Sequence, residues 1–189
     1  MYKLLSKVFF TPLLFFTLMM TPMTKIQADT PSDLENTIYM DTKHGRIIME
    51  MRPDLAPNHV TRIKELVRKG FYDGIVFHRV IGGFMAQTGD PTGTGRHGSG
   101  QKLNAEFSDE PHVRGTLSMA RAQDVNSADS QFFIVFARAP HLDGKYTVWG
   151  KVTKGMSVVG KIKRGDSQSG IVDSPDSIIR MQVAADITE

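Results

Sequence analysis

The chain has 189 residues, of which 40% are hydrophobic and 23% charged, a globular composition that allows one ordinary domain with its own core. Its formal charge is +3, but the three lysines of residues 1–28 leave 20 basic and 20 acidic side chains in the remainder. A net-neutral domain removes the main electrostatic argument for a nucleic-acid partner. The lack of cysteine excludes a disulfide framework and a thiolate metal site.

Residues 1–28 have the pattern of a Sec-type signal peptide. Lys3 and Lys7 form a positive start, an apolar stretch runs from Val8 to Met20, and residues 26–28 (Ile-Gln-Ala) resemble a cleavage site. The apolar stretch is too short for a comfortable membrane span of about 20 residues. We therefore expect export, to the periplasm or otherwise out of the cytoplasm. An uncleaved membrane anchor is the alternative.

Residues 29–36 are polar, and we predict a flexible lead-in to a folded domain that spans residues 37–189. The first two elements of that domain are predicted strands, Thr37 to Thr42 and Arg46 to Met51. In the first strand, apolar residues alternate with polar or aromatic ones. Gly45 supplies a turn between the strands, because glycine accepts a positive φ. Together these segments predict a β-hairpin.

The clearest helix is predicted from Pro57 to Lys69. Proline is favoured in the first helical turn, because its missing N–H costs nothing there. Val60, Ile63 and Val67 recur at helical spacing and predict a face that packs on a core. The next residue is a glycine, which is typical just beyond a helix C-terminus.

The rest of the chain reads as short strands separated by loops rich in glycine and aspartate. The predicted strands are Ile75–Val80, Phe84–Thr88, Thr116–Ala120, Phe132–Phe136, Tyr146–Val152 and Ser177–Ala184. A second, shorter helix is predicted over Gly155–Lys163. Many short strands with only two helices favour a β-barrel or a β-sandwich over a doubly wound sheet.

The sequence supports neither a dinucleotide-binding site nor a zinc site, because the flanking residues and spacings do not fit. Residues 93–98 match G-x-G-x-x-G, but a dinucleotide fingerprint needs a strand just before it and a helix beginning within it, and neither flank fits. No two of the six histidines have i,i+4 spacing on a helix with a nearby carboxylate, so the sequence predicts no zinc site. Without cysteine or a G-x-S-x-G motif, covalent catalysis has no obvious nucleophile.

Three stretches carry a more specific signal: FHRVIGGFMAQTGD from Phe77, LSMARA from Leu117 and SQFFIVFARAPHLDGKYTVWG from Ser130. In this order they resemble the cyclophilins, which are peptidyl-prolyl cis–trans isomerases. The likeness runs from about Ile38 to the C-terminus. It implies a mainly β fold, a closed eight-stranded antiparallel β-barrel capped by two α-helices. It also implies proline-containing polypeptides as partners, and gives no reason to expect a metal or other cofactor.

Arg79 is an arginine in a run that is otherwise apolar or glycine, with no acidic residue until Asp90. A surface arginine whose stem covers the barrel is the ordinary reading of such a residue. The resemblance instead makes Arg79 the catalytic residue. Arginine suits that role because it stays charged and can hold a carbonyl while it presents an N–H to the prolyl nitrogen.

By the same resemblance, four side chains line a pocket for the proline ring: Phe84, Met85, Phe133 and Leu142. On the residues alone, plain barrel core is the alternative role for all four. Gln87 and Gln131 are implied to hydrogen-bond the substrate backbone and to help orient the arginine. A satisfied, solvent-facing strand residue is the alternative for each glutamine.

Ala120 and Arg121 match the strip along which the substrate lies, where backbone groups give affinity without demanding a sequence. His78 precedes the arginine as in the family. We assign it a supporting role at the edge of the site and not proton transfer, because nothing in the mechanism requires a general base.

The sequence also departs from the family pattern. Gly82 stands where the family usually has proline, which predicts a looser turn after the arginine. His141 stands where tryptophan is common, which predicts weak cyclosporin binding with isomerase activity retained. Tyr146 stands where many relatives have histidine, and tyrosine can still cover the proline ring and donate a hydrogen bond. The loop from Gly89 to Gly100 differs too, so no substrate contact is predicted from Gly95.

Three functions remain as hypotheses. The first is an exported prolyl isomerase with broad X–Pro substrates, and the second is a non-catalytic chaperone that binds peptides in the same groove. Arg79, Gln87 and Phe133 together favour the enzyme. The third is a dinucleotide-binding oxidoreductase built on residues 93–98, for which we expect NADH titration to show no binding. We predict no nucleic-acid or metal partner, and a monomer.

Overall fold

The computed structural model describes residues 34–187, and its elements follow the predicted order. The strands are β1 (Thr37–Thr42), β2 (Gly45–Met51), β3 (Arg79–Ile81), β4 (Met85–Thr88), β5 (Thr116–Met119), β6 (Phe132–Val135), β7 (Val148–Lys154) and β8 (Ile178–Val183). Helix α1 spans Pro57–Arg68, helix α2 spans Met156–Val159, and 3₁₀ turns lie at Pro140–Leu142 and Ala184–Asp186. The predicted signal peptide and residues 29–33 of the lead-in lie outside the described residues.

All eight strands form one antiparallel sheet in the order β3-β4-β6-β5-β7-β2-β1-β8. The predicted hairpin is confirmed, since β1 pairs with β2 from Thr37, opposite Glu50, to Thr42, opposite Gly45. Gly45 takes a φ of +122° at its turn. Beside the turn, the Arg46 guanidinium donates to the Asp41 carboxylate at 2.7 and 2.8 Å.

The two edge strands, β3 and β8, are covered by neighbouring segments of the chain. Val76 forms an isolated antiparallel bridge with Ser177, just before β8, and Arg79 of β3 bridges to Ile171. No ladder joins β3 to β8 within residues 34–187, so the sheet is a curled half-barrel. The mainly β, eight-stranded antiparallel fold is confirmed. Its closure into a complete barrel is not, because loop residues rather than paired strands cover these edges.

Helix α1 packs its apolar face on the sheet, chiefly against β8, as its spacing predicts. The buried apolar residues of the helix are Val60, Ile63, Leu66 and Val67. The helix begins at Pro57 as predicted and ends at Arg68, one residue early. Gly70 follows with a φ of +66°, a backbone conformation that glycine adopts without strain.

Helix α2 is much shorter than the predicted Gly155–Lys163, since it covers only Met156–Val159. Gly155 has a φ of +94° and is left-handed, so the helix cannot begin there. A Cβ atom at Gly155 would lie 2.7 Å from the carbonyl oxygen of Arg46. Close packing on β2 therefore requires glycine at this position and sets the start of the helix.

Strand β3 begins later than predicted. Its ladder with β4 covers Arg79 to Ile81, whereas the prediction was Ile75 to Val80. The preceding backbone is held outside the main ladders, for example by the Phe77 N–H, which donates to the carbonyl oxygen of Asp176 at 2.8 Å. Strand β7 is likewise displaced by two residues from its prediction. Periodicity locates these segments, but their ladder partners set the strand ends.

The apolar interior contains two clusters. The larger combines residues of the sheet and of α1, and its bulkiest members are Trp149, Tyr72, Phe77 and Phe132. The smaller cluster contains Met85, Phe133, Val135, Ala139 and Leu142. Phe132 and Phe133 are neighbours on β6 and face opposite sides of the sheet, so this strand separates the two clusters.

Candidate active site

The smaller apolar cluster underlies a cavity of about 420 Å³. The cavity is lined by Arg79, Phe84, Met85, Gln87, Ala120, Arg121, Phe133, His141, Leu142 and Tyr146. The sequence assigns every one of these residues to the site. Of the remaining assigned residues, Gln131 lines a neighbouring cavity, whereas His78 is buried and lines neither.

Segments that are far apart in the sequence supply this lining. Arg79 lies on β3, and Met85 and Gln87 lie two residues apart on β4, so both face the same side. Strand β6 pairs with β4 and places Phe133 opposite Gln87. The segment after β5 and the 3₁₀ turn at residues 140–142 complete the rim.

Arg79 brings a positive charge to the cavity without a carboxylate partner in residues 34–187. Its Nε donates to the carbonyl oxygen of Ser169 (2.9 Å), and its Nη1 donates to Oε1 of Gln87 (3.3 Å). Nε2 of Gln87 donates to Oε1 of Gln131 (2.9 Å), whose Nε2 donates to the carbonyl oxygen of His97 (2.7 Å). Gln87 thus bonds the arginine directly, and Gln131 acts on it only through Gln87. Because no acidic side chain of residues 34–187 pairs with the guanidinium, its charge can act on a ligand.

Apart from Arg121, the rest of the cavity lining is apolar or aromatic. Three of its residues are almost fully buried: Met85, Phe133 and Leu142. The Phe84 ring lies 5.5 Å from the His141 ring, and the Tyr146 ring meets Phe133 edge-on at 6.0 Å. Aromatic rings around a buried apolar floor suit a compact apolar group such as a pyrrolidine ring.

Arg121 supports the Tyr146 side of the cavity. Its guanidinium carbon lies 4.6 Å from the centroid of the Tyr146 ring. Its Nε and Nη2 donate to the carbonyl oxygen of Lys145 (3.2 and 3.1 Å). Its Nη1 donates to the carbonyl oxygens of Ala122 (2.9 Å) and Gln123 (3.2 Å). This side chain therefore links the segment after β5 to the segment before β7.

The sequence of the chain also matches a known protein family. The family described as "Cyclophilin type peptidyl-prolyl cis-trans isomerase/CLD" matches residues 37–183, which is most of the chain. The chain belongs to the cyclophilin family. The resemblance seen in the sequence is thereby confirmed, and this cyclophilin is a peptidyl-prolyl cis–trans isomerase.

Individual relatives and solved structures support the assignment. A probable peptidyl-prolyl cis-trans isomerase from Brucella suis is 51% identical over 174 residues, covering 85% of this chain and 89% of the relative. A peptidyl-prolyl cis-trans isomerase from Helicobacter pylori is 44% identical over 148 residues, covering 75% and 90%. A cyclophilin from Hirschia baltica superposes with a TM-score of 0.74 at 29% identity, covering 82% of this chain and 76% of that one. A Cryptosporidium parvum cyclophilin type isomerase, solved in the presence of the dipeptide ala-pro, gives 0.72 at 29% identity, covering 78% and 98%.

The residues that support the floor of the cyclophilin site were not predicted from the sequence. The buried His112 ring stacks on Phe133 with centroids 6.3 Å apart. Its Nδ1 shares a hydrogen bond with Oδ1 of Asp143 (3.0 Å), and its Nε2 shares one with Oγ of Ser118 (2.9 Å). Burial lowers the pKa of His112, although Asp143 opposes the shift. No spacing pattern marks this group, because His112 and Asp143 are 31 residues apart in separate loops.

His78 does not contact the cavity to which the sequence assigned it. Its side chain is buried beside the glycine-rich loop, where a Cβ atom at Gly95 would lie 3.2 Å from its Nε2. Burial lowers the pKa of His78; Asp90 offsets part of this shift, and Arg79 adds to it. His78 therefore packs beneath the loop, and its assigned supporting role at the edge of the site stays a prediction.

A second cavity, of about 370 Å³, adjoins the first. The two cavities share Gln87, Ala120 and Arg121. Gln131 lines only the second cavity, as does Gly95, from which no substrate contact is predicted. A polypeptide bound in the first cavity can therefore extend past Ala120 and Arg121 toward Gln131.

Asp90 holds the glycine-rich loop that matches G-x-G-x-x-G. Its buried carboxylate accepts the backbone N–H groups of Thr92 (2.8 Å), Arg96 (2.9 Å) and His97 (3.3 Å). In a dinucleotide site, the backbone N–H groups of such a loop bind a phosphate. Here they already donate to the Asp90 carboxylate. No helix begins in this loop either. Residues 93–98 are therefore not a dinucleotide fingerprint.

We expect Asp90→Asn to lower the free energy of unfolding at neutral pH by about 1–3 kcal/mol, because hydrogen bonds to a charged acceptor are lost. Burial alone would raise the pKa of Asp90, but hydrogen bonds from Thr92, His97 and Arg96 hold it well below its ordinary value of 3.8. The charged group therefore stabilises the fold above pH 3.8, and this contribution is lost as the pH falls toward the lower folded pKa. In urea unfolding experiments between pH 7 and pH 2, the free energy of unfolding should fall less with decreasing pH in the variant than in wild type.

The control for that experiment is Asp109→Asn. Asp109 is exposed and has no hydrogen-bond or ion-pair partner in the described part of the chain. Its substitution should leave both the stability and its pH dependence nearly unchanged. Equal acid profiles for wild type and Asp90→Asn would contradict the anchoring role of Asp90.

Histidine–carboxylate pairs occur at three places in the described residues: His44–Asp176, His59–Glu106 and His112–Asp143. Each pair stands apart from the others. Within residues 34–187, no group of three or more His, Cys, Asp and Glu side chains is placed to hold a metal ion. In the same residues, no helix is long and apolar enough to span a bilayer.

The turn between β3 and β4 contains Gly82, at the position where proline is usual. The Phe84 N–H donates to the carbonyl oxygen of Ile81 (3.1 Å), and Gly83 takes a φ of +74°. A Cβ atom at Gly82 would meet only Arg164, at 4.0 Å, so crowding does not require glycine there. The backbone is a hydrogen-bonded turn, and its predicted looseness stays a prediction.

Proposed function

We propose that this cyclophilin accelerates rotation about X–Pro bonds in folding polypeptides outside the cytoplasm. The observation that carries the proposal is Arg79, which lines an apolar cavity and has no carboxylate partner in residues 34–187. Family membership supports the reaction class. The ala-pro dipeptide present with the Cryptosporidium parvum relative supports proline-containing polypeptides as the ligand.

Rotation about an X–Pro bond is slow because the nitrogen lone pair is shared with the carbonyl group, which gives a barrier of about 18–20 kcal/mol. In the twisted transition state the nitrogen is pyramidal and its lone pair is free. A donor beside that nitrogen binds the twisted amide better than the planar one, and this difference lowers the barrier. A gain of about 5.5 kcal/mol would shorten an exchange time of ~100 s to ~10 ms.

Arg79 can act as that donor while its orientation is held. A guanidinium has five N–H groups. One donates to Ser169 and one to Gln87, so three have no protein partner in the described residues. These groups hold the substrate carbonyl and donate to the prolyl nitrogen. Met85 and Phe133 support the proline ring while the amide turns, and no step requires a cofactor, a metal ion or a base.

An Ala-Pro peptide whose cis and trans forms exchange slowly enough to be resolved by NMR tests the activity. Magnetisation exchange measures the rate without an auxiliary protease. We expect the full-length protein at micromolar concentration to raise the exchange rate by at least about 100-fold, a barrier reduction of about 2.7 kcal/mol. Binding without any acceleration would overturn the enzymatic proposal.

A non-catalytic chaperone that uses the same groove is the second candidate. The adjoining cavity of about 370 Å³ favours it, because a longer polypeptide segment can bind there. Aggregation of a proline-containing client protein, with wild type and Arg79→Ala compared, separates the two functions. A chaperone that binds proline-containing segments suppresses that aggregation whether or not Arg79 is present, whereas an effect that depends on isomerisation is lost with Arg79.

We also propose that residues 1–28 direct export and are then removed. The positive start, the apolar stretch and the small residue at position 28 support this proposal. N-terminal sequencing of protein recovered from the cell envelope should begin at Asp29. Recovery of the uncleaved chain in the membrane fraction would favour an anchor.

We further propose a monomer, which sedimentation analysis of the exported protein tests.

Weak cyclosporin binding is proposed from His141, which takes the place of the usual tryptophan beside Phe84. We expect His141→Trp to tighten cyclosporin binding by about tenfold, or 1.4 kcal/mol, because an indole adds apolar area and one N–H donor. The value of kcat/KM should change by less than about twofold. Calorimetric titration of both proteins checks this, and equal affinities would contradict it.

A further inference from the structure

Arg79 forms one of its hydrogen bonds with a residue that is far from it in the sequence. The carbonyl oxygen that accepts its Nε–H belongs to Ser169, which is 90 residues further along the chain. Ser169 lies in the segment between α2 and β8. We name residues 165–170 the arginine-facing turn. None of its residues lines the cavity.

Hydrogen bonds of Asp166 shape the arginine-facing turn. Its Oδ1 accepts the backbone N–H groups of Gln168 (2.9 Å) and Ser169 (2.8 Å). The Ser169 hydroxyl donates to Oδ2 of the same carboxylate, and its Oγ accepts the Ile171 N–H (3.0 Å). The Asp166 carboxylate thus fixes the backbone of Ser169 from both its amide and its side chain.

The turn is also fastened to β3, the strand that carries Arg79. The Gly165 N–H donates to the carbonyl oxygen of Val80 (2.9 Å), and the Val80 N–H donates to the carbonyl oxygen of Gly170 (2.7 Å). Gly170 takes a φ of +76°, and a Cβ atom there would lie 2.4 Å from Cγ1 of Ile81 and 3.3 Å from Cγ of Arg79. A side chain at position 170 would therefore collide with β3, so glycine lets the turn pack directly beside the stem of Arg79.

Two acceptors on different nitrogens define the plane of a guanidinium, whereas one leaves it free to rotate. Gln87 accepts from Nη1 and Ser169 accepts from Nε. With both in place, the remaining N–H groups of Arg79 are aimed before a substrate arrives. A donor that is already oriented stabilises the transition state more strongly, because no free energy is spent on reorienting it during the reaction.

We propose that Asp166 is a positioning residue for isomerisation, acting through the Ser169 carbonyl group on the orientation of the Arg79 guanidinium. The inference rests on the proposed role of Arg79. Asp166 touches neither the cavity nor the arginine itself. Its effect should therefore appear in kcat and leave KM for a short peptide nearly unchanged.

The first test is Asp166→Ala in the full-length protein. We expect kcat for an Ala-Pro peptide to fall about 5- to 20-fold, with KM within about twofold of wild type. Asp166→Asn keeps one oxygen acceptor for the two backbone N–H groups, so most of the activity should return. Asp54→Ala is the matched control, since Asp54 also lies in an exposed turn but bonds Arg52, away from the site. That control should keep wild-type kcat.

The second test separates positioning from a general loss of structure. Lysine has no Nε–H of the guanidinium kind, so in an Arg79→Lys background the Ser169 carbonyl group loses this partner. Asp166→Ala should then cause little further loss of kcat. Equal losses in both backgrounds would show that Asp166 does not act through Arg79 and would overturn the inference.

A direct readout is the Nε–H signal of Arg79 in a ¹H–¹⁵N spectrum, identified by its absence from Arg79→Lys. We expect its exchange with water to be slow in wild type and in Asp54→Ala, and to accelerate in Asp166→Ala. An unchanged exchange rate together with unchanged kcat would refute the positioning role. If Arg79→Ala remained fully active, the proposed function would fail instead, so the two failures are distinguishable.

Discussion

Arg79→Ala should lower kcat/KM for an Ala-Pro peptide by about 100- to 1000-fold, the loss typical when a preorganised transition-state donor is removed. The physical reason is that the guanidinium charge has no carboxylate partner in residues 34–187, so its stabilisation is available to the twisted amide. The apolar cavity strengthens that stabilisation, because it reduces screening by water. The measurement is NMR magnetisation exchange at matched enzyme concentrations.

Arg79→Lys is the matched variant for this prediction. Lysine keeps the charge but not the planar fork that donates to Ser169 and Gln87 at the same time. We expect it to lose about tenfold in kcat/KM, an intermediate result that divides charge from geometry. Because Arg79 is only half-buried, both variants should fold, which thermal unfolding checks. A folded Arg79→Ala protein with wild-type kcat/KM would remove the arginine from the mechanism.

Phe133→Leu should reduce kcat/KM by about 5- to 20-fold, because each aromatic contact contributes about 0.5–1.5 kcal/mol beyond the buried area. The Phe133 ring meets Tyr146 edge-on and stacks on His112, so leucine loses contacts on both sides. The proline ring then has a less defined floor. Stability should fall as well, by about 1–2 kcal/mol, since the side chain is buried.

Phe132→Leu is the control on the same strand. Phe132 faces the larger cluster, with its ring edge-on to Tyr72 and to Trp149 at 5.6 and 5.4 Å. The change should cost about 1–3 kcal/mol of stability but leave kcat/KM within about twofold of wild type. Urea unfolding and the exchange assay together give both values. If the two variants lost activity equally, loss of stability rather than loss of the pocket would explain the result.

The order of elements is predictable because it depends on local pattern, whereas the lining of the site is what the resemblance to the cyclophilins implies. Helix α1 follows from apolar spacing and from a proline at its start, and the β1–β2 hairpin follows from a turn glycine. The motifs place Arg79, Gln87 and Phe133 on strands that pair side by side, so their convergence follows from the fold they imply.

What the sequence does not predict depends on contacts between distant backbones. The start of α2 is set by the close approach of Gly155 to Arg46, which no propensity scale contains. The support that Ser169 gives to Arg79 comes from a carbonyl oxygen, a group that every residue carries. His112 reaches Phe133 from a separate loop. Closure of the sheet likewise depends on which loops reach the edge strands.

The covered sheet edges bear on association with other polypeptides. A strand-forming segment of another chain adds readily to an unpaired sheet edge. Here the Val80 amide of β3 is taken by Gly170, and the carbonyl group of Ile178, at the start of β8, is taken by the Gly74 amide. Backbone groups at these points are thus already bonded within the molecule. At these positions another strand finds its hydrogen-bonding partners already taken, which disfavours edge-to-edge association of the molecule with other chains.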